Sequence, residues 1–208
     1  NSKHLRISSF VDDNPKGFGL LQRDRDIKNY LDFEANYQER PSAWVEPTEN
    51  WGKGMVQLVE IPSQQEIHDN IVAYWVPAEP IKANSQYTFN YRLIWLNEVM
   101  KEQELAAIVA TRTGVGGVSG INIDNTDRKF VIDFVGKNLD EKFAENGITA
   151  EVSTQKGQIN GVSTIYNPIT KGLTVYVDYQ PIDGDEIRVL LTKDNKPISE
   201  VWSYQWLN

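Results

Sequence analysis

The sequence has no cysteine among its 208 residues. That excludes disulfides, thiol nucleophiles and cysteine-held metal, and it fits many compartments, a bacterial periplasm among them, without selecting one. Histidine is almost as scarce. His4 and His68 stand far apart in the chain and in no metal-ligand spacing, so neither a metal nor a cofactor is expected. No HExxH, serine elbow or P-loop occurs. The glycines of GVGGVSG, residues 114–120, do not match GxGxxG and open no βαβ unit. Asp183-Gly184-Asp185 starts like a calcium loop, but the twelve-residue pattern fails, and a hairpin turn explains it better. Basic residues are outnumbered, 21 Lys and Arg against 29 Asp and Glu, for a formal net charge of −8. That balance disfavours nucleic acid and anionic membrane surfaces as partners. Long apolar runs are missing too. The longest, residues 71–78, is far short of the roughly 20 residues of a membrane span. No signal peptide is visible. If the chain catalyses anything, the chemistry left to it is carboxylate acid–base work.

Aromatic rings interleaved with carboxylates are abundant. Residues 41–78 hold three of the six tryptophans, Trp44, Trp51 and Trp75, with Glu46, Glu49, Glu60, Glu66 and Asp69 between them. Such a mixture suits an extended sugar polymer. Sugar C–H faces stack on rings, and carboxylates accept hydroxyl protons and can move protons at a glycosidic bond. The same stretch can equally be a β-sandwich core with a solvated rim, since most strand tryptophans are packing residues.

Strand signals recur along the chain. LRISSF (5–10) alternates as a strand should, and Asp12, Asp13, Asn14, Pro15 and Gly17 form a turn cluster. Residues 18–21 are apolar, and Gln22-Arg23-Asp24-Arg25-Asp26 follows at once, either a solvated face or a self-paired network at the mouth of a groove. Residues 26–39 read as loop with one turn of helix, ended by Pro41. Strands are expected over 42–46, 55–62, 69–75 and 87–96, which puts Asp69 where a loop enters a strand. The segment 1–97 thus reads as antiparallel β without a closing partner. With the abrupt start at Asn1, that leads us to expect a missing upstream portion. Residues 98–106 are rich in helix formers and are expected to form a short helical linker. From 107 to 208, seven short strands separated by regular turns suggest an immunoglobulin-like sandwich, at 107–112, 129–135, 148–155, 158–166, 172–179, 185–193 and 198–206. The expected class is all-β.

Three long motifs carry a resemblance: DNPKGFGLLQRDRDIKNYLDFEANYQERPSAWVEP, WGKGMVQLVEIPS and DNIVAYWVP, with YNPITKGLTVYV and SEVWSYQ nearer the end. Through them the sequence resembles the C-terminal part of the periplasmic glucans biosynthesis protein G/D family. The resemblance implies a large β-sandwich similar to sugar-mutarotase sandwiches, then a linker and an immunoglobulin-like domain. It implies a periplasmic protein of a Gram-negative bacterium that acts on osmoregulated glucans, β-1,2-linked glucose chains, by internal hydrolysis with inversion. It makes Asp69 the general acid and puts the general base upstream of any residue in this chain. An inverting hydrolase needs two carboxylates about 6.5–9.5 Å apart, so the chain by itself is expected to be inactive. On chemistry alone Trp44, Trp51, Arg23, Asp24 and Arg25 are groove candidates, rings to stack glucose and charged groups to bind hydroxyls. Two other readings stay open. One is a non-catalytic glucan-binding scaffold that works with the inner-membrane glucan synthesis machinery. The other is an interaction module built on the C-terminal half. No oligomeric state follows from the pattern.

Overall fold

The structure is a computed structural model that describes residues 4–65, 67–97, 105–117 and 127–207. It divides into two compact units, Asn1–Lys101 and Glu102–Asn208. The fold is all-β, as the strand periodicities predict. Among the described residues the only helical pieces are single 3-10 turns at Ile27–Asn29 and Tyr37–Glu39. The expected helical linker falls on residues 98–104, outside the described residues, and on Ala106, which forms a parallel bridge with Ser199.

The first unit has six strands: β1 (Arg6–Asp13), β2 (Phe18–Leu20), β3 (Ser42–Pro47), β4 (Lys53–Glu60), β5 (Ile71–Pro77) and β6 (Tyr91–Leu96). They form two antiparallel sheets, β1-β4-β5 and β2-β3-β6. The β1–β4 ladder runs from Arg6↔Glu60 to Asp13↔Lys53. Asn14 then takes a left-handed φ of 61° and turns the chain. A Cβ at Gly19 would stand 2.0 Å from the Ala43 carbonyl oxygen, so only glycine lets β2 approach β3 this closely. The expected strand over 87–96 is shorter than its alternation suggests. β6 starts at Tyr91, opposite Pro47, the last residue of β3. One position further out the Asn90 carbonyl still accepts from the Thr48 N–H (3.0 Å), which continues that register, and the Asn90 side chain donates to Glu49 (2.8 Å).

Among the described residues, no large apolar side chain of this unit belongs to the buried core. Along β6, Tyr91, Leu93 and Trp95 are all exposed. They share one sheet face because side chains alternate along a strand.

The second unit owns the core. Its strands are β7 (Ala107–Val115), β8 (Arg128–Val135), β9 (Ile148–Thr154), β10 (Gln158–Asn167), β11 (Gly172–Gln180), β12 (Asp185–Lys193), β13 (Lys196–Pro197) and β14 (Trp202–Trp206). One sheet runs β10-β11-β8-β7. In the other, β12 is flanked by β9 on one edge and by β13 and β14 on the opposite edge. Phe130, Ile132 and Phe134 of β8 and Leu173, Val175, Val177 and Tyr179 of β11 face Ile187, Val189 and Leu191 of β12, all fully buried. Trp202 seals the open side. Its ring meets Phe130 edge-on at 5.0 Å, and its Nε1 donates to Thr111 Oγ1 at 3.0 Å. Of the strand expected over 198–206, β14 (Trp202–Trp206) forms, and β13 lies just before that stretch. Between them Glu200 N–H turns to the Ala106 carbonyl (2.9 Å), and Ala106 N–H bonds the Ile198 carbonyl (2.8 Å).

Asp185 is the most heavily bonded polar group of the core. Its carboxylate accepts from the hydroxyls of Thr154 and Tyr179 and from the backbone N–H groups of Gln155 (3.1 Å), Lys156 (2.8 Å), Gly157 (2.8 Å) and Glu186 (2.9 Å). Burial alone would raise its pKa. The bonds from Thr154, Tyr179, Gly157 and Lys156 outweigh burial and hold it far below the carboxylate range. Tyr179 moves the other way. Burial first, then its bond to Asp185 and the carboxylate's charge, push its hydroxyl up to about 12. Asp133 has the same pattern on a smaller scale. Burial opposes, but bonds from Thr174 (2.6 Å) and Arg112 (2.7 Å) lower its pKa.

Candidate functional site

Asp69 lies in the 61–70 connection between β4 and β5, two residues before Ile71, and is exposed. The connection is closed at its base by Ile61 N–H on the Asn70 carbonyl (2.7 Å). Inside it, Ser63 Oγ donates to the Gln65 carbonyl (2.7 Å) and meets His68 Nδ1 at 3.3 Å. Asp69 is thus held on a short, tied loop at the end of a sheet. Ile71 and Val72, which follow it, are 47% and 45% exposed. Glu60 pairs with Ile71 across the ladder, which brings it to the base of the same connection. Glu66 lies outside the described residues.

Trp51 sits at the other end of the same sheet. Four rings surround it: Phe89 (5.2 Å between centroids), Trp75 (6.1 Å), Phe18 (6.2 Å) and Tyr91 (6.2 Å). Its Nε1 donates to the Asn90 carbonyl at 3.3 Å. Phe18 pairs with Val45 on β3, so Trp51 faces the side of that sheet carrying Phe18 and Val45. Trp44, one position earlier, points to the opposite side, where it packs over Gly17. A Cβ on Gly17 would reach its ring at 2.4 Å. Strand alternation therefore separates two tryptophans that are only seven residues apart.

The charged run is tied into its own loop. Asp24 accepts from Asn29 Nδ2 (2.9 Å) and from the Asp26 N–H (3.1 Å), while its carbonyl takes the Tyr30 hydroxyl (2.7 Å). Arg25 Nη1 donates to the carbonyls of Gln38 (2.9 Å) and Arg40 (3.2 Å). Its guanidinium braces the 22–40 loop. Arg23, just before them, is exposed. Of the candidate residues, the structure groups Arg23, Asp24 and Arg25 in one loop and puts Trp51 in an aromatic cluster. Asp69 lies at the far end of β5 from that cluster.

The sequence reading did not single out Tyr87, Phe89, Lys53 and Glu79, which line a cavity of about 460 Å³ beside Trp51. The alternating Tyr87, Phe89 and Tyr91 were the available signal, but they read as an ordinary strand. Among the described residues no group of three or more His, Asp or Glu is placed to hold a metal ion. No helix among them is long and apolar enough to cross a membrane.

Fold and site together define an all-β sandwich protein with a partly open aromatic cluster and a carboxylate on a tied loop. The chain belongs to the periplasmic glucan biosynthesis protein family. The family described as "Periplasmic glucan biosynthesis protein, MdoG" matches residues 1–206. Similar proteins include the "Probable glucans biosynthesis protein D" of Shewanella oneidensis, 41% identical over 210 residues, covering 99% of this chain and 39% of the relative. The "Glucans biosynthesis protein D 2" of Ralstonia nicotianae is 45% identical over 207 residues, covering 97% and 38%. The "Glucans biosynthesis protein G" of Rhodopseudomonas palustris is 40% identical over 207 residues, covering 99% and 40%. The chain therefore spans about two-fifths of the length of these relatives.

Proposed function

We propose that the full-length protein is a periplasmic endo-β-1,2-glucanase that works with inversion and shapes the backbone of glucans during their biosynthesis. The observation that carries this reading is the similarity, over essentially the whole chain, to proteins named for glucans biosynthesis. The position of Asp69 supports it, since an exposed carboxylate on a tied loop at a sheet end can reach a bound polymer. In the proposed mechanism Asp69 gives a proton to the leaving glycosidic oxygen. A second carboxylate, from the part of the protein beyond this chain, removes a proton from the attacking water on the opposite face of the sugar. The exposed apolar strands of the first unit fit a domain completed by the further length that the relatives have.

The test is hydrolysis of linear β-1,2-glucan by the full-length protein, with the anomer of the new reducing end followed by NMR. Inverted ends are expected. Asp69→Asn should abolish cleavage and keep glucan binding. Activity near wild type in that variant would remove Asp69 from the mechanism. The second reading is a glucan-binding scaffold acting with membrane-bound synthesis machinery. It predicts binding without release of reducing sugar.

A further inference from the structure

The aromatic cavity lies away from Asp69. β5 runs from Ile71 to Pro77, roughly 20 Å at the usual strand rise. Asp69 precedes its first residue, and the cavity begins at its last, where Pro77, Ala78 and Glu79 form one wall. Tyr87, Thr88 and Phe89 line the cavity as well, beside Trp51. A volume of about 460 Å³ lies in the range that holds small ligands.

The walls are braced before any ligand arrives. Gly52, at φ 74°, donates to both Asn14 Oδ1 and Asn50 Oδ1 at 2.8 Å, and Asn14 N–H returns a bond to the Gly52 carbonyl at 2.9 Å. Ala78 N–H holds the Lys53 carbonyl at 2.9 Å, and the Tyr87 hydroxyl accepts from Lys82 N–H at 3.3 Å. Lys53 and Glu79 are the charged groups of the lining. Their charges cancel, so the cavity favours neither an anion nor a cation. Aromatic walls, hydrogen-bonding rims and zero net charge are the chemistry that recognises a neutral sugar ring.

We propose that this cavity is a glucan-binding subsite remote from Asp69, in which a neutral glucose unit stacks on Tyr87 and Phe89 while Lys53 and Glu79 bond its hydroxyls. The proposal rests on the glucan reading above. It gives a long chain a second anchor, which adds affinity without touching the scissile bond.

The test measures binding of linear β-1,2-glucan to the full-length protein by titration calorimetry, and maps protected backbone amides by hydrogen exchange. Tyr87→Ala should weaken binding of long glucan about three- to tenfold. Tyr87→Phe, which keeps the ring, should restore most of the affinity, and glucan should protect residues 50–53 and 77–89 in the wild type. Unchanged affinity in a folded Tyr87→Ala variant overturns the proposal, and so does protection that leaves 50–53 and 77–89 untouched. If Tyr87→Ala fails to fold, the wild-type protection map and the Glu79→Gln affinity decide by the same criteria. Binding and cleavage by the wild type with no effect of these variants overturns the subsite alone. No glucan binding by the wild type overturns both the subsite and the proposed function.

Discussion

Replacing Asp185 by asparagine keeps the shape of the side chain and removes its charge. Three backbone N–H groups, from Gln155, Lys156 and Glu186, point at Oδ1, so the amide nitrogen must take the Oδ2 position. There the hydroxyls of Thr154 and Tyr179 can turn round and accept, but the Gly157 N–H cannot. One buried donor is left unpaired, which costs about 1–3 kcal/mol, and the remaining bonds lose their charge assistance. The expected loss is about 2–4 kcal/mol at pH 7, and Asp185→Ala, which strands every donor, should lose more. The assay is urea denaturation of the protein with hydrogen exchange read on peptides from β9, β11 and β12. It isolates the second unit from the first. A pH series adds a second readout. Because the folded-state pKa of Asp185 is depressed, its stabilisation is fully present above the unfolded value near 4 and fades as pH falls below it. The gap between wild type and Asp185→Asn should therefore be constant from pH 5 to 8 and close below pH 4. A gap under about 0.5 kcal/mol at neutral pH, the scatter of ordinary surface substitutions, would refute the reasoning.

The raised pKa of Tyr179 has the opposite sign: its stabilisation holds below the unfolded value near 10 and is lost as pH rises towards 12. Urea midpoints at pH 9 and pH 11.5 should differ in the wild type, and Tyr179→Phe should flatten that part of the curve. Among the described residues, the buried core lies in the second unit. Residues 102–208 made alone should give a cooperative thermal melt by circular dichroism, whereas residues 1–101 alone should bind a hydrophobic dye and melt without a cooperative transition.

Strand alternation made much of the second unit legible. LTVYVDY reads directly as β11, with Leu173, Val175, Val177 and Tyr179 inward. The same rule overruns where the partner strand ends. Residues 87–90 alternate well, yet β3 stops at Pro47, and beyond it the Asn90 carbonyl meets the Thr48 N–H and the Trp51 ring nitrogen. Asp185 was hidden for a related reason. Its donors come from residues 154–157, 179 and 186, and no spacing in the sequence shows that these meet. At the candidate site the sequence shows the residue types but not their sides. Trp44 and Trp51 look like one aromatic patch until the parity of β3 turns Trp44 away from the side on which Trp51 meets Phe18. Arg25 looks like a ligand-binding cation, and the structure commits its Nη1 to two carbonyls.

The way Asp185 holds the 154–157 turn has a practical consequence. It grips the turn through backbone N–H groups, so the exposed Gln155 side chain takes no part in the grip. Gly157 is different, since a Cβ there would reach the Tyr179 ring at 2.5 Å. With no other thiol in the chain, Gln155→Cys would give a single attachment point for a fluorophore. A dye there would ride on a turn whose position is set by the core, and its mobility would report directly when that core lets go.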